Sequence, residues 1–152
     1  MRRSDREIKD REAIDRILHA ASVCRLALCD GDRPYVIPMS YGYDGNSLYF
    51  HCASEGRKLD LVRRNPNACF EVDMDVEVAA RGTACSWGLR FRSVVGSGRV
   101  TIVADPEGKR RGLAALMAHY GGSLDGAGDE NIRSVCVLRL DVDEVSGKAA
   151  AD

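Results

Sequence analysis

The sequence predicts a mainly β protein: a small six-stranded antiparallel barrel with two or three peripheral helices. Three observations predict it. Apolar residues alternate with period two in six separate stretches, Gly- and Asp-rich turns punctuate them, and only short segments carry helical spacing. The 152 residues suit a single domain, 1–152. A chain of that size buries about 70% of its unfolded surface.

Taken in order, Ser4-x-x-Glu7 has capping-box spacing and Asp10 offers a second helix start. Ile14, Ile17, Leu18 and Ala21 recur at i, i+3, i+4 and i+7, predicting an amphipathic helix over 10–21 within a helical segment, 1–22. Residues 23–29 read as a strand, Asp30-Gly31-Asp32 as a turn and 34–43 as a second strand. After the Asp44-Gly45-Asn46 turn, residues 47–52 complete a three-stranded meander. Ser54 opens a short helix bearing Leu59, Leu61 and Val62, stopped by Asn65-Pro66. Residues 68–74 alternate cleanly, whereas 75–90, with Gly82, Trp87 and Gly88, read as a loop with strand ends. The strand 91–103 is interrupted at Gly96 and Gly98, where a bulge is expected. Asp105-Pro106 caps a helix striped by Leu113, Leu116, Met117 and Tyr120. A Gly-rich loop, 121–130, leads to the last strand, 134–142, and 143–152 reads as a tail.

Composition narrows the function. With 22 Lys and Arg against 23 Asp and Glu, the net charge of −1 speaks against a nucleic-acid binder, whose affinity rests on phosphate neutralisation. No apolar run approaches the length of about 20 residues that spans a bilayer. Charge also stands near the N-terminus where a secretory leader would be apolar, so a cytoplasmic location is expected. The six Cys include no C-x-x-C, so reduced, mostly buried thiols are expected and no metal site. There is no nucleophile elbow, no H-E-x-x-H and no acidic Mg cluster; an enzyme built from this chain would take its chemistry from a cofactor.

Two places invite a ligand. In 35–43 both alternating faces are apolar or small: Tyr35, Ile37, Met39 and Tyr41 on one, Val36, Pro38, Ser40 and Gly42 on the other. One face fills a barrel; the other needs a helix, a second subunit or a flat ligand, which favours a dimer with something bound at the seam. From Tyr49 to Lys58 the chain passes from a strand end into a helix start. Ser54, Arg57 and Lys58 there suit an anion such as phosphate, although the same spacing suits a Ser54 cap with solvated cations. His51 should point away from the barrel core, as a ligand contact or an interface histidine. Arg92–Gly98 lies within a strand and lacks Lys-Ser/Thr, so it is no phosphate loop, though Ser93 can offer a hydroxyl. Cys85 beside Trp87 has no neighbouring base and reads as structural.

Several motifs together resemble one family. They are Met1-Arg2-Arg3-x-Asp5-Arg6-Glu7-Ile8; Pro34-Tyr35-Val36-Ile37-Pro38-Met39 with Tyr41-Gly42-Tyr43; Tyr49-Phe50-His51-x-Ala53-x-x-Gly56-x-Lys58; Cys85-x-Trp87-Gly88 followed by Ser93-Val94-Val95-Gly96-x-Gly98; Met117-x-x-Tyr120; and Gly147-Lys148. In this order they resemble the flavin-binding split-barrel proteins related to pyridoxamine 5′-phosphate oxidase, and among them the 5-nitroimidazole-resistance (Nim-type) group. The resemblance implies a split β-barrel homodimer with one FMN in each interface cleft. It implies that Pro38, Met39, Ser40 and Tyr41 lie along the flavin ring, that His51, Ala53 and Lys58 hold the phosphate end, and that Ser93 and Lys148 add contacts. Gly108 and Gly112 depart from the usual Glu and Ala, weakening that helix by up to about 1 kcal/mol each.

The function this implies is an FMN-dependent oxidoreductase. It would reduce a small acceptor, such as a nitroimidazole or other nitroaromatic, with NAD(P)H as a candidate donor and His51 orienting the acceptor. The alternatives on the same barrel are a non-catalytic flavin or haem carrier, and a deazaflavin-binding protein.

Overall fold

Asp10 Oδ1 accepts from the Glu12 N–H at 3.1 Å and starts α1 (Arg11–Ala20), whose Ile14, Ile17 and Leu18 are buried. The computed structural model describes residues 3–80 and 82–150. Met1 and Arg2 of the N-terminal motif, with Ala151 and Asp152 of the expected tail, lie outside the described residues. The capping box does not form. Ser4–Arg6 make a single 3₁₀ turn with no side-chain cap, and Glu7–Ile8 become β1, paired with Lys148 and Gly147.

β2 (Cys24–Asp30) and β3 (Arg33–Met39) form the first hairpin, and β4 (Gly42–Tyr43) pairs with β5 (Ser47–Cys52). The expected strand 34–43 is therefore two strands, and the expected meander is not formed. The sheet runs β3-β2-β6-β7-β8-β5-β4, with β1 on β8, so β3 and β5 do not pair and four strands stand between them in the ladder. Tyr41 explains the break. Its ring is fully buried, its hydroxyl donates to the Leu18 carbonyl at 2.7 Å, and its N–H donates to the Tyr120 hydroxyl at 3.1 Å. These bonds carry the chain across the barrel mouth instead of along β3. Pro34 and Pro38, lacking donors, sit on the edge strand where no partner asks for one. The eight-stranded antiparallel sheet is not closed; it is a split barrel, open between β3 and β4.

α2 (Arg57–Arg64) is followed by two strands longer than expected, β6 (Asn67–Ala79) and β7 (Gly88–Val103). They pair out to Ala79 and Gly88, so most of the expected 75–90 loop is an antiparallel arm. Asp75 at φ +55° marks a bulge between Met74 and Glu77, where the arm leaves the core. The register also shifts between Ser97 and Gly98, as the glycines predict; a Cβ on Gly98 would stand 2.0 Å from the Asp141 carbonyl oxygen.

Asp105 caps α3 (Pro106–His119) through the Gly108 N–H at 2.6 Å. Gly112 is not simply a weak point of that helix: a Cβ there would meet the Tyr49 ring at 2.7 Å, so its absence lets α3 lie close on β5. The loop 121–130 runs into a short α4 (Asp129–Ser134). β8 (Cys136–Ala150) starts two residues late and continues to 150, so 143–150 is strand, not tail. It pairs along its length with β7 and also with β5 and β1. Inside the barrel, Leu26, Phe70, Val72, Val94, Phe50 and Leu138 are buried at 2% exposure or less. Among the described residues no helix is long and apolar enough to cross a membrane.

The β4–β5 turn carries a pH signature. Burial alone would raise the Asp44 carboxyl, but bonds from the Asn46 and Ser47 N–H groups and the Tyr49 hydroxyl outweigh it and hold Asp44 below the usual carboxylate range. A depressed folded pKa contributes stability that is present above the unfolded value and lost as pH falls through the folded one. Asp44→Asn should therefore flatten the loss of stability on acidification below about pH 4, the ordinary Asp range, in chemical denaturation at stepped pH. Unchanged acid dependence would remove Asp44 as a contributor.

Candidate functional site

Gly56, at φ +121°, is the N-cap of α2, and no side chain caps the helix. Ser54 is exposed two residues upstream, so its expected capping role falls away and the first N–H groups of α2 stay without a side-chain acceptor. Lys58, in the first turn, reaches back to the end of β3. Its Nζ lies 3.0 Å from the Met39 sulfur. It takes part in no ion pair among the described residues: a half-buried ammonium whose contact is a thioether. Arg57 differs. Its guanidinium donates to Asp30 at 2.8 Å and lies 4.8 Å from the Tyr35 ring centroid. Of the two cations at this helix start, only Lys58 lacks a carboxylate among the described residues.

Around that charge stand other predicted residues. Met39 is buried, and Ser40 is exposed at the bend between two anchored neighbours, Met39 and Tyr41. Pro38 and Val36 are exposed on the outer face of the edge strand. At the end of β5, His51 is exposed on the outer face, as its parity predicts, and Ala53 is exposed in the loop before α2. The outer face of residues 35–39 is thus left uncovered by this chain, an apolar strip beside an unneutralised cation.

Ser93 and Lys148 form a second group. They are direct partners across β7 and β8, and the Lys148 Nζ lies 5.5 Å from the Phe91 ring centroid. Ser93 borders a cavity of about 320 Å³ with Arg25, Glu71 and Asp73; Arg25 is engaged by both carboxylates. Met39 shares a sheet row with Cys24, Val72 and Val94, so three strand spacings separate β3 from β7. That is about 14 Å along the sheet. The structure brings Met39 and Lys58 together and Ser93 and Lys148 together, but not the two pairs to each other within one chain.

The family model for pyridoxamine 5′-phosphate oxidase matches residues 10–149. The chain belongs to the pyridoxamine 5′-phosphate oxidase-like family. A candidate 5-nitroimidazole antibiotic resistance protein from Bacteroides thetaiotaomicron is 32% identical, with a TM-score of 0.82 over 93% of this chain and 85% of that one. An FAD-binding protein from Mesorhizobium loti is 27% identical, with a TM-score of 0.68 over 96% and 98%. The FAD and haem binding protein of Mycobacterium smegmatis shares the fold at 20% identity, with a TM-score of 0.86 over 97% and 74%. An uncharacterised protein of Rhizobium meliloti is 36% identical over 66 residues, which are 43% of this chain and 42% of that protein. The chain thus matches about two-fifths of the length of that curated relative.

Three features of this family member escaped the sequence reading. Arg57 is diverted to Asp30 and Tyr35, a pairing set by tertiary proximity. The β6–β7 arm exposes Val76, Val78, Trp87 and Leu89; the alternation of Val76 and Val78 around Glu77 was its one legible trace. A cavity of about 480 Å³, bordered by Cys29, Arg33, Pro34 and Cys69, holds none of the candidate residues.

Proposed function

We propose that this protein binds FMN in a cleft between two copies of the chain and works as a flavin-dependent oxidoreductase on a small acceptor. The observation that carries the reading is the Lys58 ammonium held at the β3 end with no carboxylate. A half-buried charge without a counter-charge is costly, and a phosphate supplies the missing one. The uncapped N-terminus of α2 beside it adds N–H donors of the right polarity.

The residues divide the work. Lys58, with the loop from His51 through Ala53 to Gly56, holds the phosphate end. Pro38, Met39 and Ser40 offer an apolar edge and backbone groups to a planar ring, as ligand clefts of this type require. Tyr41, fully buried with its N–H and hydroxyl already engaged, fixes the bend that presents them rather than touching the ring as expected. His51, exposed at the end of β5, orients the acceptor. FMN, when bound, supplies the redox chemistry, and the chain supplies position and exclusion of water. Ser93, about 14 Å along the sheet from Met39, and Lys148, one strand farther, suit a cleft completed by a second copy, each flavin taking one group from each. The exposed Val36 and Val95 on the outer sheet face and the apolar arm give that homodimer surface to bury. A nitroimidazole or another nitroaromatic, with NAD(P)H as donor, is the proposed acceptor class, and likeness to the Bacteroides protein supports it.

The purified protein tests this through its absorption spectrum. Expected are flavin maxima, FMN rather than FAD on chromatography of the released cofactor, bleaching by NADH or NADPH, and reoxidation by a nitroimidazole. A colourless protein that takes up no added FMN, or one with a Soret band, overturns the reading.

A further inference from the structure

Cys52 closes β5, Cys136 opens β8, and the ladder sets them directly opposite each other. Both are half-buried at one mouth of the barrel, on the inward-facing side shared by Phe50 and Leu138, and the flavin reading uses neither thiol. Side chains opposite each other on antiparallel strands have Cβ atoms about 4.5–5.5 Å apart, whereas a disulfide needs about 3.5–4.5 Å. An approach of about 1 Å closes that difference. Both residues sit at strand ends, where local opening costs least.

The two thiols are not equivalent. Cys136 borders a cavity of about 270 Å³ that Cys52 does not reach. Arg63, Lys109 and Arg133 line that cavity beside Cys136; Arg63 pairs with Asp60 and the Lys109 ammonium donates to the Arg133 carbonyl, so the wall offers N–H donors to the oxygens of an entering oxidant. Burial pushes the Cys52 thiol up to about 11, helped by the charge and hydrogen bond of Cys136 and opposed by Lys58. An oxidant entering that cavity meets Cys136 first, so Cys52 attacks second.

We propose that Cys52 and Cys136 form a reversible disulfide, with Cys136 as the attacking thiol and a hydroperoxide entering through this cavity as the oxidant. In the first step the Cys136 sulfur attacks the O–O bond; it gains a hydroxyl as sulfenic acid, and the hydroperoxide leaves as its alcohol. In the second the Cys52 sulfur displaces that hydroxyl, which departs as water with the Cys52 proton. The two thiols give up two electrons and two hydrogens, and the hydroperoxide is reduced to alcohol and water. Neither step involves flavin.

The test uses the full chain with Cys29, Cys69 and Cys85, which are exposed and not buried as expected, replaced by serine, so that they do not compete. Hydrogen peroxide is added, free thiols are alkylated, and intact and digested protein are weighed. Expected are a loss of two hydrogens, a linked peptide joining Cys52 to Cys136, and reversal by dithiothreitol. Cys52→Ser should abolish the link and leave a sulfenic acid at Cys136 that dimedone traps. If the triple variant does not fold, the same peptide map of the unmodified chain carries the test. Both thiols remaining alkylatable, or oxygen adding first at Cys52, overturns the proposal.

Discussion

Lys58→Ala is expected to raise the Kd for FMN by about 10- to 100-fold while the barrel stays folded. A hydrogen bond to a charged group contributes about 1.5–3 kcal/mol, and each 1.4 kcal/mol is tenfold in affinity. The fold should survive because, among the described residues, Lys58 makes no ion pair and its Nζ contacts the Met39 sulfur. Lys58→Met, which keeps the apolar stem, separates lost charge from lost packing and should weaken binding nearly as much. Arg57→Ala should matter less, since its guanidinium is already engaged by Asp30 and Tyr35. Fluorescence titration of the apoprotein with FMN measures all three. Unchanged affinity in Lys58→Ala, with normal circular dichroism, would take the phosphate away from this helix start.

Gly42→Ala should destabilise the whole domain. A Cβ at Gly42 would stand 2.3 Å from both the Ala115 carbonyl carbon and the Leu116 nitrogen. These are backbone atoms of α3, so no rotamer change relieves the clash; the helix must lift off β4. Overpacking of this kind costs about 1–3 kcal/mol and sometimes more. For a domain of this size that lowers Tm by about 3–10 °C in a thermal melt. The consequence would spread further, because the Tyr120 hydroxyl beyond α3 accepts from the Tyr41 N–H and donates to the Ser22 carbonyl. Lifting α3 loosens the crossing that separates β3 from β4. A melt unchanged from the parent would mean that α3 does not press on β4 as described.

Local chemistry made much of this molecule legible. Asp10 capping α1, Asp105 capping α3, the alternation of 68–74 and the bend at Gly98 each follow from neighbours within a few residues, and each appears in the structure. The outward His51 follows from strand parity alone. Errors came where a distant partner overruled a local pattern. Residues 34–43 alternate like one strand, but Leu18 and Tyr120 hold Tyr41 and turn the chain across the mouth. Ser54 has the composition of a cap, but the helix starts from Gly56. Residues 143–150 look like a tail because their small side chains give no strong period, and they become strand because β7 offers a long partner.

For the site, the residue types that hold an anion were visible in sequence, but not which cation stays free. Lys58 and Arg57 are adjacent and chemically similar; only Asp30, brought near from another hairpin, neutralises one of them. Sequence by itself determined the mainly β character and the caps, because periodicity and capping are contests among near neighbours. The strand order, the split between β3 and β4, and the separation of Lys58 from Ser93 and Lys148 were decided by tertiary structure. They depend on which surfaces bury one another, and no local window contains both sides of that choice.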